Sequence, residues 1–209
     1  MPFLSRSAIE RRLPEIFGTT FVPQGLDEAA YNMRLGAEIF VSSKETPEVL
    51  SASNPMVAIH PGEFALLMTY EHVEVPKDLM GLITLRHRYK KQGLANVSGF
   101  HVDPGFRGKL VFSVFNVGRN DIVLRYLEAM FMIFFARVEP AVTERSKHDH
   151  DDQGRLSLQD MLALRGPSSS LVDMEKRIRE LESNVKFYGA IITGALLALL
   201  ALVARLVTK

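Results

Sequence analysis

The sequence predicts a mainly β body followed by one long C-terminal helix. Three observations lead there. Six runs rich in Val, Ile, Leu and Phe follow one another between residues 56 and 138, separated by short turn signals. No long helical pattern interrupts residues 30–138, and short strands in series with tight turns imply an all-β sandwich or barrel. Finally, Phe187 to Ala204 carries no charge, and an apolar run of about 18 residues is the usual threshold for a membrane-spanning helix.

At the N-terminus, Ser7-Ala-Ile-Glu10 has capping-box spacing, so a short helix is expected over about 7–13, stopped by Pro14. Residues 18–25 are loop-like, with Pro23 and Gly25 as turn residues. Residues 30–42 alternate in polarity and read as a strand bent at Gly36. The expected strands are then Met56–His60, Glu63–Val73, Leu79–Leu85, Lys109–Val117, Ile122–Tyr126 and Ala129–Val138. The last contains AMFMIFFA, apolar on both faces, which must be buried on both sides or lie at a subunit contact.

Residues 139–170 change character. They hold Pro140, the polar cluster SKHDHDDQGR, a short helical segment near 156–164 and GPSSS, and read as a linker. From Leu171 onward, Met174, Ile178, Leu181, Val185, Tyr188 and Ile192 alternate spacings of three and four, a heptad seam. Arg177 and Glu182 fall at positions that suit a parallel interchain pair. The seam runs into the uncharged stretch, so 171–209 reads as a coiled-coil stalk continuing into a membrane span over about 187–208. There Ala190, Gly194 and Ala198 form a small-residue stripe that lets helices approach closely.

Composition narrows the function. Formal net charge is +1 with 23% charged residues, so no polyanion partner and no nucleic acid are expected. Cysteine is absent, which removes disulfides, thiol catalysis and thiolate zinc sites. The N-terminus lacks the apolar core of a secretory signal. Lys and Arg before the span outnumber those after it. Together these place the body on the cytoplasmic side of a single-pass membrane protein. His148-Asp-His-Asp-Asp152 offers metal-ligand atoms but sits in the linker, where a solvated loop is the simpler reading.

Several stretches of residues 5–138 occur in the order of one known family. They are Tyr31-Asn-Met-Arg-Leu-Gly36, His60-Pro-Gly-Glu63 with the strand pair after it, Asp103-Pro-Gly-Phe-Arg-Gly108, and Asn116-Val-Gly118. The body, 1–138, thereby resembles the dCTP deaminase and dUTPase superfamily, closer to the deaminase branch. The resemblance implies a distorted β-barrel that assembles as a homotrimer, with nucleotide sites between subunits. It implies a pyrimidine deoxynucleotide as ligand, and Mg²⁺ only where a triphosphate is bound.

The resemblance also assigns residues. The phosphate-gripping segment reads Arg86-His-Arg-Tyr-Lys-Lys91, making Arg86, Arg88 and Lys91 nucleotide-binding candidates although the family's serines are replaced. Asp103 stands where the dUTPase branch orients the attacking water, so it is the catalytic candidate and also a nucleotide contact. As an Asp before Pro-Gly it is equally an ordinary turn residue. The deaminase glutamate position holds Ser113, whose hydroxyl cannot shuttle protons at neutral pH. The expected function is a membrane-anchored, non-deaminating barrel that binds a pyrimidine deoxynucleotide and couples it to the membrane helices. The alternatives are an active Mg²⁺-dependent deaminase or dUTP pyrophosphatase, and a ligand-free membrane scaffold.

Overall fold

The computed structural model describes residues 2–143, 153–164 and 171–207. The chain divides into two compact units, Met1–Ser168 and Ser169–Lys209. The first opens with helices α1 (Arg6–Glu10) and α2 (Leu13–Phe17). Strands β1 (Tyr31–Val41), β2 (Glu48–Val49), β3 (Met56–Ile59), β4 (Phe64–Glu74) and β5 (Leu79–Leu85) follow. After a helical turn, α3 (His87–Lys91), come β6 (Leu94–Asn96), β7 (His101–Val102), β8 (Arg107–Asn116), β9 (Ile122–Arg125) and β10 (Ala129–Arg137). The unit closes on α4 (Leu158–Leu164).

The body is mainly β, as expected. One antiparallel sheet runs β6-β8-β4-β1-β10-β5-β7, with β2 on β1, and β3 pairs with β9 apart from it. The path curls without closing into a ring. Its pivot is β1, which pairs with β10 through Tyr31–Arg34 and with β4 through Leu35–Val41. Gly36 sits at this crossing. A Cβ there would lie 2.7 Å from the Thr69 carbonyl oxygen, so only glycine allows the two backbones to approach this closely. The apolar run of β10 is an interior strand between β1 and β5. Phe131 stacks on Phe112 at 4.2 Å, and Phe17 of α2 meets Phe135 edge-on at 6.3 Å. Phe131, Ile133 and Phe135 thus share one fully buried face of β10, while Met132 and Phe134 on the other face are half-buried, Phe134 meeting Phe3 edge-on at 6.4 Å.

Two N-terminal expectations are corrected. The chain forms two short helices, and Pro14 lies in the first turn of α2. That turn has no carbonyl waiting for the missing N–H, so proline starts the helix more readily than it stops one. No capping box forms either: Ser5 is the N-cap and makes no side-chain cap bond, while Ser7 lies inside α1.

Two of the family-like motifs act as latches. The His60 amide donates to Glu63 Oε2 at 2.7 Å, closing the H-P-G-E turn. Buried Asn116 donates from Nδ2 to the carbonyls of Ile59 and Asn120 and accepts the Gly118 amide on Oδ1. A Cβ on Gly118 would stand 2.5 Å from the Gln92 carbonyl oxygen, which accounts for the glycine two residues on. His60 also pairs with Asp121 at 2.8 Å, and that carboxylate holds the His60 pKa above its ordinary value.

The second unit is one helix, α5 (Leu171–Val207), 37 residues long. At 1.5 Å per residue it extends about 55 Å. The expected membrane span over about 187–208 is not supported here. Among the described residues no helix is long and apolar enough to cross a membrane. The side chains at 199 and 202, within the apolar run, lie outside that description. Ala190, Gly194 and Ala198 are exposed on α5, and nothing lies within 4 Å of a Cβ built on Gly194.

Candidate functional site

Strand alternation sends Leu110, Phe112 and Val114 of β8 into the main core and leaves Lys109, Val111 and Ser113 on the other face. Register places Leu66 of β4 opposite Ser113 and Met68 opposite Val111. On this outer face Phe40, Leu66 and Met68 form a second apolar cluster with Leu156, and Met161 and Leu164 of α4 pack against it. Between β8, the segment 98–106 and α4 lies a cavity of about 510 Å³, within the range of small-molecule sites.

Asp103 and Ser113 both line this cavity. Asp103 heads the turn after β7, where the Phe106 amide donates to its carbonyl at 3.1 Å. Gly105 takes φ +83°, as a residue in that turn must. His101 Nε2 stands 3.6 Å from Asp103 Oδ1, so an imidazole and a carboxylate share one wall. Lys109 adds a cation to the lining, and Asp160 a second carboxylate from α4. Ser113 offers only a hydroxyl. The cavity can bind a polar ligand and hold water beside Asp103, and position 113 supplies no acid or base.

The cationic candidates lie elsewhere. Arg86, Arg88 and Lys91 do not line the cavity. The segment His87–Lys91 folds as α3 with Arg86 as its N-cap, anchored by buried Tyr89, whose phenol is pushed up to about 12 by burial and then by the charge of Glu128. Arg88 is committed to Glu128 at 2.7 Å and lies over the Tyr89 ring. That ion pair offsets the negative charge Glu128 would otherwise present to a phosphate. Lys91 is exposed and Arg86 half-buried. Within one chain the structure brings Asp103 and Ser113 together and leaves the three cations apart.

Among the described residues no group of three or more His, Asp or Glu could hold a metal ion. The expected ligand cluster His148–Asp152 lies outside the described residues. Sequence reasoning missed three features: His101 beside Asp103, the cavity wall supplied by Gln153 and Asp160, and the ion pair between Arg34 and Glu71. The helical spacing of Met161 and Leu164 was the available signal that α4 docks on something.

A dCTP deaminase-like family profile matches residues 3–138. The chain belongs to the dCTP deaminase-like family. It is 32% identical over 144 residues to the dCTP deaminase of Thermococcus gammatolerans, covering 69% of this chain and 89% of that one. To the dCTP deaminase of Pyrococcus abyssi it is 28% identical over 144 residues, covering 69% and 91%. The fold is similar to the crystal structure of 2'-deoxycytidine 5'-triphosphate deaminase from Agrobacterium tumefaciens, with a TM-score of 0.56 at 13% identity. That match covers 66% of this chain and 49% of the other, so this dCTP deaminase-like chain spans about half the length of that structure. The cavity residues Asp103 and Ser113 fall inside the family segment. Gln153 and α4 fall beyond it.

Proposed function

We propose that this dCTP deaminase-like chain binds a pyrimidine deoxynucleotide in the cavity of Asp103 and Ser113 and does not deaminate it. The carrying observation is that both residues line one cavity while the position matching the deaminase glutamate is a serine. In deamination a water oxygen bonds to ring carbon C4 and ammonia leaves from it. Protons must pass from the water to the ring and then to the leaving nitrogen. A group with a pKa near the working pH does this well, and a serine hydroxyl does not. Asp103 and Lys109 remain to contact sugar and phosphate. Arg86 and Lys91 would act on phosphates only across an interface, from a neighbouring copy in a homotrimer. Mg²⁺ enters only with a triphosphate, whose oxygens would be its main ligands.

Titration calorimetry of the full chain in mild detergent tests the binding. dCTP should bind, and Asp103→Asn should weaken it about tenfold, the loss of one hydrogen bond to a charged group. Absence of binding by dCTP, dUTP and their monophosphates, with and without Mg²⁺, would leave the scaffold reading in its place. Hydrolysis is a second reading, favoured by the imidazole of His101 standing 3.6 Å from the Asp103 carboxylate, two groups that can act as bases on a water between them. Pyrophosphate release that Asp103→Asn abolishes would establish it.

The tail belongs to the same proposal. Phe187–Ala204 is uncharged in the sequence, and α5 exposes Ile191, Ile192, Leu196, Leu197, Leu200 and Val203. Such a surface calls for a bilayer or other helices around it. The reading is a single-pass membrane protein with its body on the cytoplasmic side and its tail helices associated in the bilayer. Alkaline carbonate should leave the full chain in the membrane pellet, while the substitution Leu197→Lys should release a large fraction. Complete extraction of the unaltered chain would overturn the anchor.

A further inference from the structure

The family segment ends at residue 138, yet the cavity is completed by residues beyond it. Residues 153–164 are fastened across the outer face of the sheet. The Lys109 amide donates to the Gln153 carbonyl at 2.9 Å, and the Leu156 amide donates to Glu38 Oε2 at 3.1 Å. Leu156 is buried against Phe40, Leu66 and Met68. This seats α4 so that Asp160, Ala163 and Leu164, three and four residues apart on one helix face, line the cavity.

We propose that Asp160 is a specificity residue of this site. It selects ligands that present a hydrogen-bond donor, and so an aminopyrimidine such as cytosine over its oxo counterpart uracil. The inference rests on the nucleotide reading above. A carboxylate only accepts hydrogen bonds. The exocyclic amine of cytosine donates one, whereas the O4 of uracil would set acceptor against acceptor. Phosphates are repelled by the same carboxylate, so the ring is the part of the ligand that meets α4. Ala163, Leu164 and Val111 give that ring apolar neighbours, and Asp160 is the polar group among them. Residues outside the family segment thus set which base the cavity accepts.

The test is titration calorimetry of the full chain with dCTP and dUTP. The unaltered protein should favour dCTP about tenfold or more, the discrimination a hydrogen bond to a charged group supplies. Asp160→Asn, whose amide both donates and accepts, should narrow the ratio to about threefold or less, chiefly by gaining dUTP affinity. Asp160→Glu should keep the preference for dCTP. Hydrogen exchange across 156–164 should slow when dCTP binds, in the unaltered protein and in both variants. Equal affinity for the two nucleotides in the unaltered protein, or an unchanged ratio in Asp160→Asn, would overturn the role of Asp160 while leaving the nucleotide site standing. Binding of neither nucleotide would remove the site itself.

Discussion

Arg34→Leu should destabilise the body by on the order of 3–5 kcal/mol, the cost of breaking a buried ion pair on one side only. Arg34 Nε donates to Glu71 Oε1 and the Arg34 amide to Glu71 Oε2, both at 2.8 Å. Nη2 donates to the Thr20 carbonyl at 2.6 Å, and the guanidinium lies 4.5 Å from the Tyr70 ring centre. The Glu71 side chain is 0% exposed. One arginine therefore ties the loop before β1, β1 itself and β4 together beside the Gly36 crossing. Without it, Glu71 keeps only backbone donors in a buried site. Burial already pushes the Glu71 pKa up even with Arg34 in place, so the variant should take up a proton on folding. A carboxyl whose folded pKa lies above its unfolded value contributes stability at low pH and loses it as pH rises through the folded pKa. The deficit should accordingly be largest at neutral pH and shrink toward acid. Urea denaturation at several pH values measures this. Arg34→Leu combined with Glu71→Leu should recover much of the loss, because no charge is left unpaired. A loss below about 1 kcal/mol at neutral pH would show that the pair is dispensable.

The strands were legible because their period is local. β5 has the same bounds in sequence and structure, and β10 announced its interior place by being apolar on both faces. β2, β6 and β7 have two or three residues each, too few to show alternation. α3 was hidden for another reason. Its only apolar side chain is Tyr89, so the segment reads as a solvated basic run until tertiary contacts bury that ring. At the site, Asp103 and Ser113 could be placed through their motifs, since the Asp-Pro-Gly turn fixes the first and the alternation of β8 fixes which face the second occupies. Asp160 could not, because the contact that seats α4 joins residues 118 apart in the chain. Arg34 and Glu71 are likewise 37 residues apart, and each is an ordinary charged residue in its own strand. The cations of α3 show the reverse case, where a sequence run matched a motif's position without sharing the cavity.

The central claim concerns Ser113. Its Cβ faces the cavity side of β8 beside Leu66, on the same wall as Lys109 and Val111. Deamination needs protons carried from the attacking water to the ring and to the leaving nitrogen, and a serine hydroxyl at this position carries none at neutral pH. The deciding measurement is conversion of dCTP to dUTP, with release of ammonia, by the full chain under conditions where calorimetry shows dCTP bound. Bound dCTP recovered intact, with no dUTP above the uncatalysed background, is the result expected of a cavity that holds its nucleotide without reacting it. Steady formation of dUTP and ammonia by the unaltered protein would contradict it.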